Sequence, residues 1–262
     1  MSSQKESIVR TLTVALLVCL VCSVFVAGAA VSLRPVQQEN RQLDEQRSIL
    51  AIAGIGEANM SASRVKQLYA ERIVPRLIDL ETGRYSEEFD PATYNALSAA
   101  KDPKLSSALS SGEDIASIKR RERYKTVYLV EKDGELQTLI LPIRGYGLWS
   151  TLYGFLAVEG DLNTVVGLGF YQHGETPGLG GEVDNPRWRG LWPGKQLFDA
   201  DGKPVIEIVK GGVDPRAPGA EHKVDALAGA TLTSNGVENL LQFWLGTNGY
   251  GPFIANLRSG EA

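Results

Sequence analysis

The chemistry of this chain concentrates in residues 225–234, which read D-A-L-A-G-A-T-L-T-S. Hydroxyls stand at Thr231, Thr233 and Ser234, directly behind a turn of small residues. An amphipathic helix follows: Val237, Leu240, Leu241, Trp244 and Leu245 recur on one helical face, and the stripe closes at Gly246. Asn235, with Glu238 three residues on, matches a capping box and marks the expected helix start. A helix N-terminus carries unbonded N–H groups and a partial positive charge, which suits a phosphate. The same residues also read as an ordinary capped surface helix behind a glycine turn.

Two further loops carry residues of interest. Residues 173–182 read H-G-E-T-P-G-L-G-G-E, and residues 144–149 read R-G-Y-G-L-W. Glycines let backbone approach a flat ligand closely. Trp149, Pro177 and Leu179 offer apolar contact to a ring, and Arg144 or Lys210 a positive charge. Each has an ordinary alternative, as a core anchor, a tight turn or a surface cation. Glu175 and Asp225 either hydrogen-bond their turns or orient a hydroxyl. His173 and His222 are the two histidines, too few to argue for a metal site. The run at 119–123, K-R-R-E-R, reads as a solvated helix end.

The elements that must position these loops are strands. Residues 124–131 and 135–142 flank a K-D-G turn in which Gly134 supplies the positive φ. Residues 151–159 and 165–171 form a second pair, and 205–210 a further short strand. The loops at 144–149 and 173–182 enter and leave the second hairpin, which puts them at one end of the sheet. With the helix after Thr231 packed on that sheet, the architecture is α+β. Upstream, 35–55 reads as a helix, 65–80 as a mixed, helix-like segment broken at Pro75, and 81–90 and 96–112 as loop-rich. The expected division is 1–33 for an N-terminal tail and transmembrane helix, 34–120 for a helical membrane-proximal region, and 121–262 for the ligand-binding domain.

The run 11–31 contains no charged residue and is long enough to cross a bilayer. Ala27-Gly28-Ala29 would fit a signal-peptide cleavage site, but the apolar run exceeds the usual signal core of about 7–15 residues. A retained anchor is the expectation. Lys5 and Arg10 precede the run, while Arg34, Arg41 and Arg47 follow it, so the distribution of positive charge does not settle orientation. Both cysteines, Cys19 and Cys22, lie inside the run, so the soluble part has no disulfide and no cysteine-ligated metal. A net charge of −4 gives no electrostatic footprint for nucleic acid.

Asp225, Gly229, Ala230, Thr231 and Thr233 match the pattern D-x-x-[ST]-G-A-T-x-[ST], at which FMN is joined through a phosphoester to the threonine after Gly-Ala. The block at 173–182 is similar to the E-T-P-G-L-G loop of the same proteins. Together these residues resemble the C subunit of the Na+-translocating NADH:quinone oxidoreductase (Nqr), and less closely the G subunit of the Rnf complex. Phe243-Trp244-Leu245-Gly246 and Gly251-Pro252-Phe253 continue the resemblance to the Nqr protein. It departs at Ala228, where the pattern has Ser or Thr.

The resemblance implies a single transmembrane helix followed by an extracytoplasmic FMN-binding domain with an antiparallel sheet flanked by helices. FMN would be attached to Thr231, with Thr233 the alternative acceptor. Around it would stand Trp149, Glu175, Thr176, Gly178, Leu179, Lys210, Asp225, Gly229, Ala230 and Thr233. No histidine lies within the motif to activate a hydroxyl, which argues against self-modification; the resemblance implies a separate FAD:protein FMN transferase. Electrons would pass from NADH on another member of the complex, through this FMN, towards quinone, coupled to Na+ export. The anchor would lie in the bacterial inner membrane, with the soluble domain on the periplasmic side. No G-x-G-x-x-G followed by an acidic residue is present, so a nicotinamide site on this chain is not expected. The apolar run carries no Asp, Glu, Lys or Arg, which assigns ion translocation to partners. Two other readings remain: the Rnf-type protein, with a different electron donor, and a membrane-anchored assembly module that carries no cofactor.

Overall fold

A computed structural model describes residues 8–56 and 59–262; Lys5, weighed above for orientation, lies outside them. The chain divides into two compact units, one ending at Asp44 and the other running Glu45–Ala262. Helix α1, Ile8–Ile52, contains the apolar run and continues unbroken through Pro35. Leu16, Val18 and Phe25 are among its exposed apolar side chains, and it is long and apolar enough to cross a membrane.

The second unit is built on a six-stranded antiparallel sheet. Its strands are β1 (Val74–Asp79), β2 (Arg84–Tyr85), β5 (Tyr124–Lys132), β6 (Glu135–Tyr146), β7 (Thr151–Glu159) and β8 (Val165–Gln172), in the order β2-β1-β5-β6-β7-β8. The two expected hairpins are present, because alternating apolar runs meet at turns that glycine and aspartate can make. Two short ladders sit beside this sheet: β3 (Ser106–Ala108) with β4 (Arg120–Glu122), and β9 (Glu207–Val209) in parallel with β10 (Lys223–Asp225). The helices are α2 (Ala62–Arg72), the single turns α3 (Ala96–Ala99) and α4 (Pro186–Arg189), then α5 (Thr231–Leu245) and α6 (Gly251–Ser259).

Four expectations are corrected. The helix-like segment at 65–80 is helical only through Arg72; Val74–Asp79 is a strand of the main sheet, so part of the region expected to be helical belongs to the domain core. Pro75 is tolerated there because β2 reaches only Ile78 and Asp79, leaving Pro75 on an edge. The run at 119–123 is not a solvated helix end: Glu122 on β4 is fully buried. It pairs with the Lys125 ammonium and lies 2.6 Å from the Arg144 guanidinium. Strand β9 is shorter than expected and pairs outside the main sheet. Finally, α5 begins at Thr231 rather than behind Asn235, and the Glu238 carboxylate accepts the Ile208 N–H at 2.9 Å instead of closing a capping box.

Helix α5 lies across β6. Its face of Val237, Leu240, Leu241 and Trp244 joins Leu139, Leu141, Leu152, Leu156 and Leu168 in one buried core. The approach is close: a Cβ on Gly145 would stand 2.5 Å from Leu240 Cβ, and one on Gly236 would stand 2.6 Å from the Tyr146 carbonyl oxygen. The Trp244 indole N–H donates to the Arg144 carbonyl at 2.7 Å, and its ring lies 4.0 Å from the Lys125 ammonium. Buried charge, aromatic face and sheet end are thus fastened together beneath the helix.

A candidate cofactor site at the start of helix α5

The turn between β6 and β7, residues 147–150, and the loop leaving β8 emerge at one end of the sheet, since Tyr146 pairs with Thr151 and Tyr153 with Gln172. The start of α5 meets them there. Gly229 takes φ +73°, a conformation that suits glycine, and delivers the chain into Ala230, the residue before the helix. No side chain caps this terminus, so its first-turn N–H groups remain available to an anion.

The three hydroxyls of the motif have different fates. Ser234 is buried; its Oγ donates to the Ala230 carbonyl at 3.1 Å and accepts the Leu227 N–H at 3.0 Å. Thr233 is buried and donates to Glu175 Oε2 at 2.8 Å. Thr231 is exposed, and its hydroxyl makes no hydrogen bond among the described residues.

Glu175 joins the three loops. The residue is 5 % exposed. Oε1 accepts the N–H groups of Trp149 at 2.9 Å and of Leu148 and Ser150 at 3.1 Å, while Oε2 takes the Thr233 hydroxyl. Burial alone would push this carboxyl up, but hydrogen bonds from Trp149, Thr233, Ser150 and Leu148 outweigh it and hold the pKa below the ordinary glutamate value. The loop is reinforced where the Gly174 N–H donates to Ser150 Oγ at 2.6 Å.

The other expected residues fall in four groups. Trp149, Thr176, Gly178, Leu179, Gly229 and Lys210 are exposed, with Leu179 packed against Gly229: a Cβ there would lie 3.3 Å from Leu179 Cδ2. Lys210 follows β9, whose Val209 pairs with Asp225, so it stands beside the segment leading to Thr231. Asp225 turns its carboxylate to its own neighbourhood, accepting the Val213 N–H at 2.5 Å. Arg144 does not reach the site, because its guanidinium points inward to Glu122 and the Arg120 carbonyl. His173 is held between Asp184 and the Glu175 N–H, and His222 by the Gln196 carbonyl.

Gly147, Leu148, Ser150 and Gly180 also shape the site, although only Gly180 belongs to a family pattern, as the last residue of E-T-P-G-L-G, and none of the four is among the expected site residues. Glycine is the one sequence signal among them: a Cβ on Gly147 would stand 2.7 Å from Glu175 Oε1, and one on Gly180 2.5 Å from Thr233 Oγ1.

Comparison with known proteins converges on the same segment. A family model described as an FMN-binding domain matches residues 147–246, from the first of these loops to the end of α5. The C subunit of the Na(+)-translocating NADH-quinone reductase of Pseudomonas aeruginosa is 67 % identical over 260 residues, covering 99 % of this chain and all of that protein. The chain belongs to the family of Na(+)-translocating NADH-quinone reductase C subunits. The corresponding C subunit of Vibrio alginolyticus is 50 % identical over 261 residues, covering 100 % of this chain and 99 % of that protein. Among solved structures, NqrC of Shewanella oneidensis aligns with a TM-score of 0.76 at 39 % identity, over 84 % of this chain and 99 % of that one. The fold over that aligned 84 % of the chain is therefore the NqrC fold.

Proposed function

We propose that this chain is the membrane-anchored flavoprotein of a Na+-pumping NADH:quinone oxidoreductase, and that it carries FMN as a phosphoester on Thr231. The observation that carries the attachment site is the contrast among the three hydroxyls: Thr231 is exposed and without an internal partner among the described residues, whereas Thr233 and Ser234 are buried and bonded.

The residues present fit the group. An uncapped helix N-terminus offers N–H groups to a phosphate, and Lys210 adds an exposed cation on the neighbouring strand end. Trp149, Leu179 and Leu232 are 67 %, 46 % and 59 % exposed and give apolar surface to a planar ring. Thr176, Gly178, Gly229 and Ala230 form the backbone between these walls, and Glu175, Asp225 and Thr233 hold that backbone in place. Bound here, FMN supplies reversible electron transfer between NADH on another member of the complex and quinone, coupled in the complex to Na+ export.

Attachment is assigned to a separate FAD:protein FMN transferase. Thr231 Oγ forms a bond to the FMN-side phosphorus of FAD, the pyrophosphate P–O bond breaks, AMP leaves, and the hydroxyl proton passes to the transferase. The chain's own histidines are engaged elsewhere, which supports an external base. Helix α1 serves as the anchor in the bacterial inner membrane, with the sheet domain on the periplasmic side among the other members of the complex.

The test is Thr231→Val in a host that makes the transferase. The wild-type band is expected to fluoresce under ultraviolet light after denaturing electrophoresis and the variant band to be dark. A variant band as bright as the wild type would overturn the assignment.

A further inference from the structure

We propose that Glu175 is the positioning residue that selects the acceptor hydroxyl, by fixing the rotation of helix α5 so that Thr231 faces out and Thr233 faces in. The inference rests on the reading of Thr231 as the FMN acceptor.

The argument begins with helical geometry. Residues two apart on an α-helix point about 200° from one another. The two threonines of G-A-T-L-T cannot share a face, so one rotation of the helix offers one of them to an enzyme and hides the other. Which rotation is adopted depends on what grips the buried threonine. Here Glu175 Oε2 accepts the Thr233 hydroxyl at 2.8 Å, across 58 residues of sequence. The same carboxylate is gripped in turn by the amides of Leu148, Trp149 and Ser150, which belong to the turn between β6 and β7. The helix start is therefore bolted to the sheet through one side chain.

Space at the bolt is restricted on both sides. A Cβ at Gly147 would stand 2.7 Å from Oε1, and one at Gly180 would stand 2.7 Å from Oε2 and 2.5 Å from Thr233 Oγ1. Neither glycine has positive φ, so clearance rather than backbone conformation explains glycine at both. Glu175 makes no ion pair among the described residues, so its charge is held by directional hydrogen bonds that a displaced Thr233 cannot replace. Trp149 is set by the same bonds, since its own N–H is one of the three amides while its indole stays exposed. Acceptor and apolar wall thus share one point of support.

Glu175 does not touch the reacting atoms, so its removal should slow attachment through misplacement. The full-length chain, purified from cells lacking the transferase, would be incubated with FAD and the transferase, and adduct on each peptide followed by mass spectrometry. Glu175→Ala is expected to lower the turnover for modification of Thr231 by about tenfold to a hundredfold, the scale of an ångström's misplacement. The KM for the protein substrate should change less than the turnover, because the substitution removes no exposed side chain. Thr233→Val keeps the three amide bonds and loses the bolt itself; it should lower turnover in the same direction by a smaller factor.

Wild-type turnover in Glu175→Ala, with unfolding at a lower temperature, would reduce Glu175 to a fold support and overturn the proposal. If Glu175→Ala does not fold, Thr233→Val decides: wild-type turnover there overturns the proposal and a loss upholds it. Thr231→Val is run alongside. FMN still entering that variant at the wild-type rate would overturn the acceptor reading itself, an outcome distinct from either of the others.

Discussion

Two glutamates are buried among the described residues of the sheet domain, and they are held in opposite ways. Glu122 sits between Lys125, whose ammonium lies over the Trp244 ring, and Arg144, so its partners are full charges. Glu175 sits at the junction of three loops, and its partners are amide N–H groups and a hydroxyl. Cations attract a carboxylate over a range of geometries, whereas N–H groups hold it only when they point at it. The first arrangement welds β4, β5 and β6 beneath α5; the second registers loops against one another. Charge is used where strength is needed and directed dipoles where position is needed, and position is what the proposed cofactor site requires.

The largest effect should come from breaking the charged site. Glu122→Ala leaves two buried cations facing each other and should cost about 3–5 kcal/mol in denaturant unfolding, the scale for an uncompensated buried charge. A loss below about 1 kcal/mol, the usual worth of an exposed pair, would erase the distinction between the sites.

Gly180→Ala probes the dipolar site without removing any of its members. The new methyl would press on Thr233 Oγ1 and Glu175 Oε2, with a stability loss of about 1–3 kcal/mol, typical of overpacking. Covalent FMN per chain, read from absorbance after denaturation, should fall more than the stability loss alone accounts for. Unchanged loading would show that the loop register is not needed for attachment.

Acid should sharpen the comparison further. Both carboxyls lie below the ordinary glutamate value in the folded chain. For Glu122 burial raises the pKa, and Lys125 and Arg144 outweigh it; for Glu175 burial also raises it, and the N–H and hydroxyl donors outweigh it. The unfolded chain takes up these protons near its ordinary value of about 4.3, before the folded chain does. The stabilisation is therefore complete above that value and is lost as the pH falls through the lower folded values. Melting temperatures followed from about pH 7 down to about pH 3 should decline along this course, and Glu175→Gln should flatten part of the slope.

The smallest effect is expected at the surface. Trp149→Ala removes a side chain that is 67 % exposed while leaving its amide bonded to Glu175. Stability should change by no more than about 0.5 kcal/mol, as for ordinary surface positions. Polarisation of the bound flavin's fluorescence should drop if the indole lies against the ring.

What can be read from sequence follows the same divide. The hairpins around Gly134 and residues 160–163 and the apolar stripe of α5 rest on local patterns, and they are where the sequence places them. Strand β1 is hidden because Pro75 and Arg76 interrupt its alternation, and its pairing with β5 is settled about 50 residues away. The run at 119–123 reads as solvated because nothing local announces that Glu122 will meet Arg144, 22 residues on. The start of α5 lies earlier than its apparent capping box because Glu238 is taken by Ile208. The role of Glu175 is concealed for a related reason: its donors belong to another loop, and only the fold aims them at it.

A carrier that swings between donor and acceptor needs a loose foot, as lipoyl and biotinyl arms have. Thr231 stands on the first residue of a helix whose remaining turns are wedged against β6 by Leu240, Gly145 and Trp244. On the proposed attachment, the travel available to the flavin is limited to rotation about the bonds of its own linker. Longer journeys between redox partners would have to be made by the whole sheet domain, moored and moving as a single body.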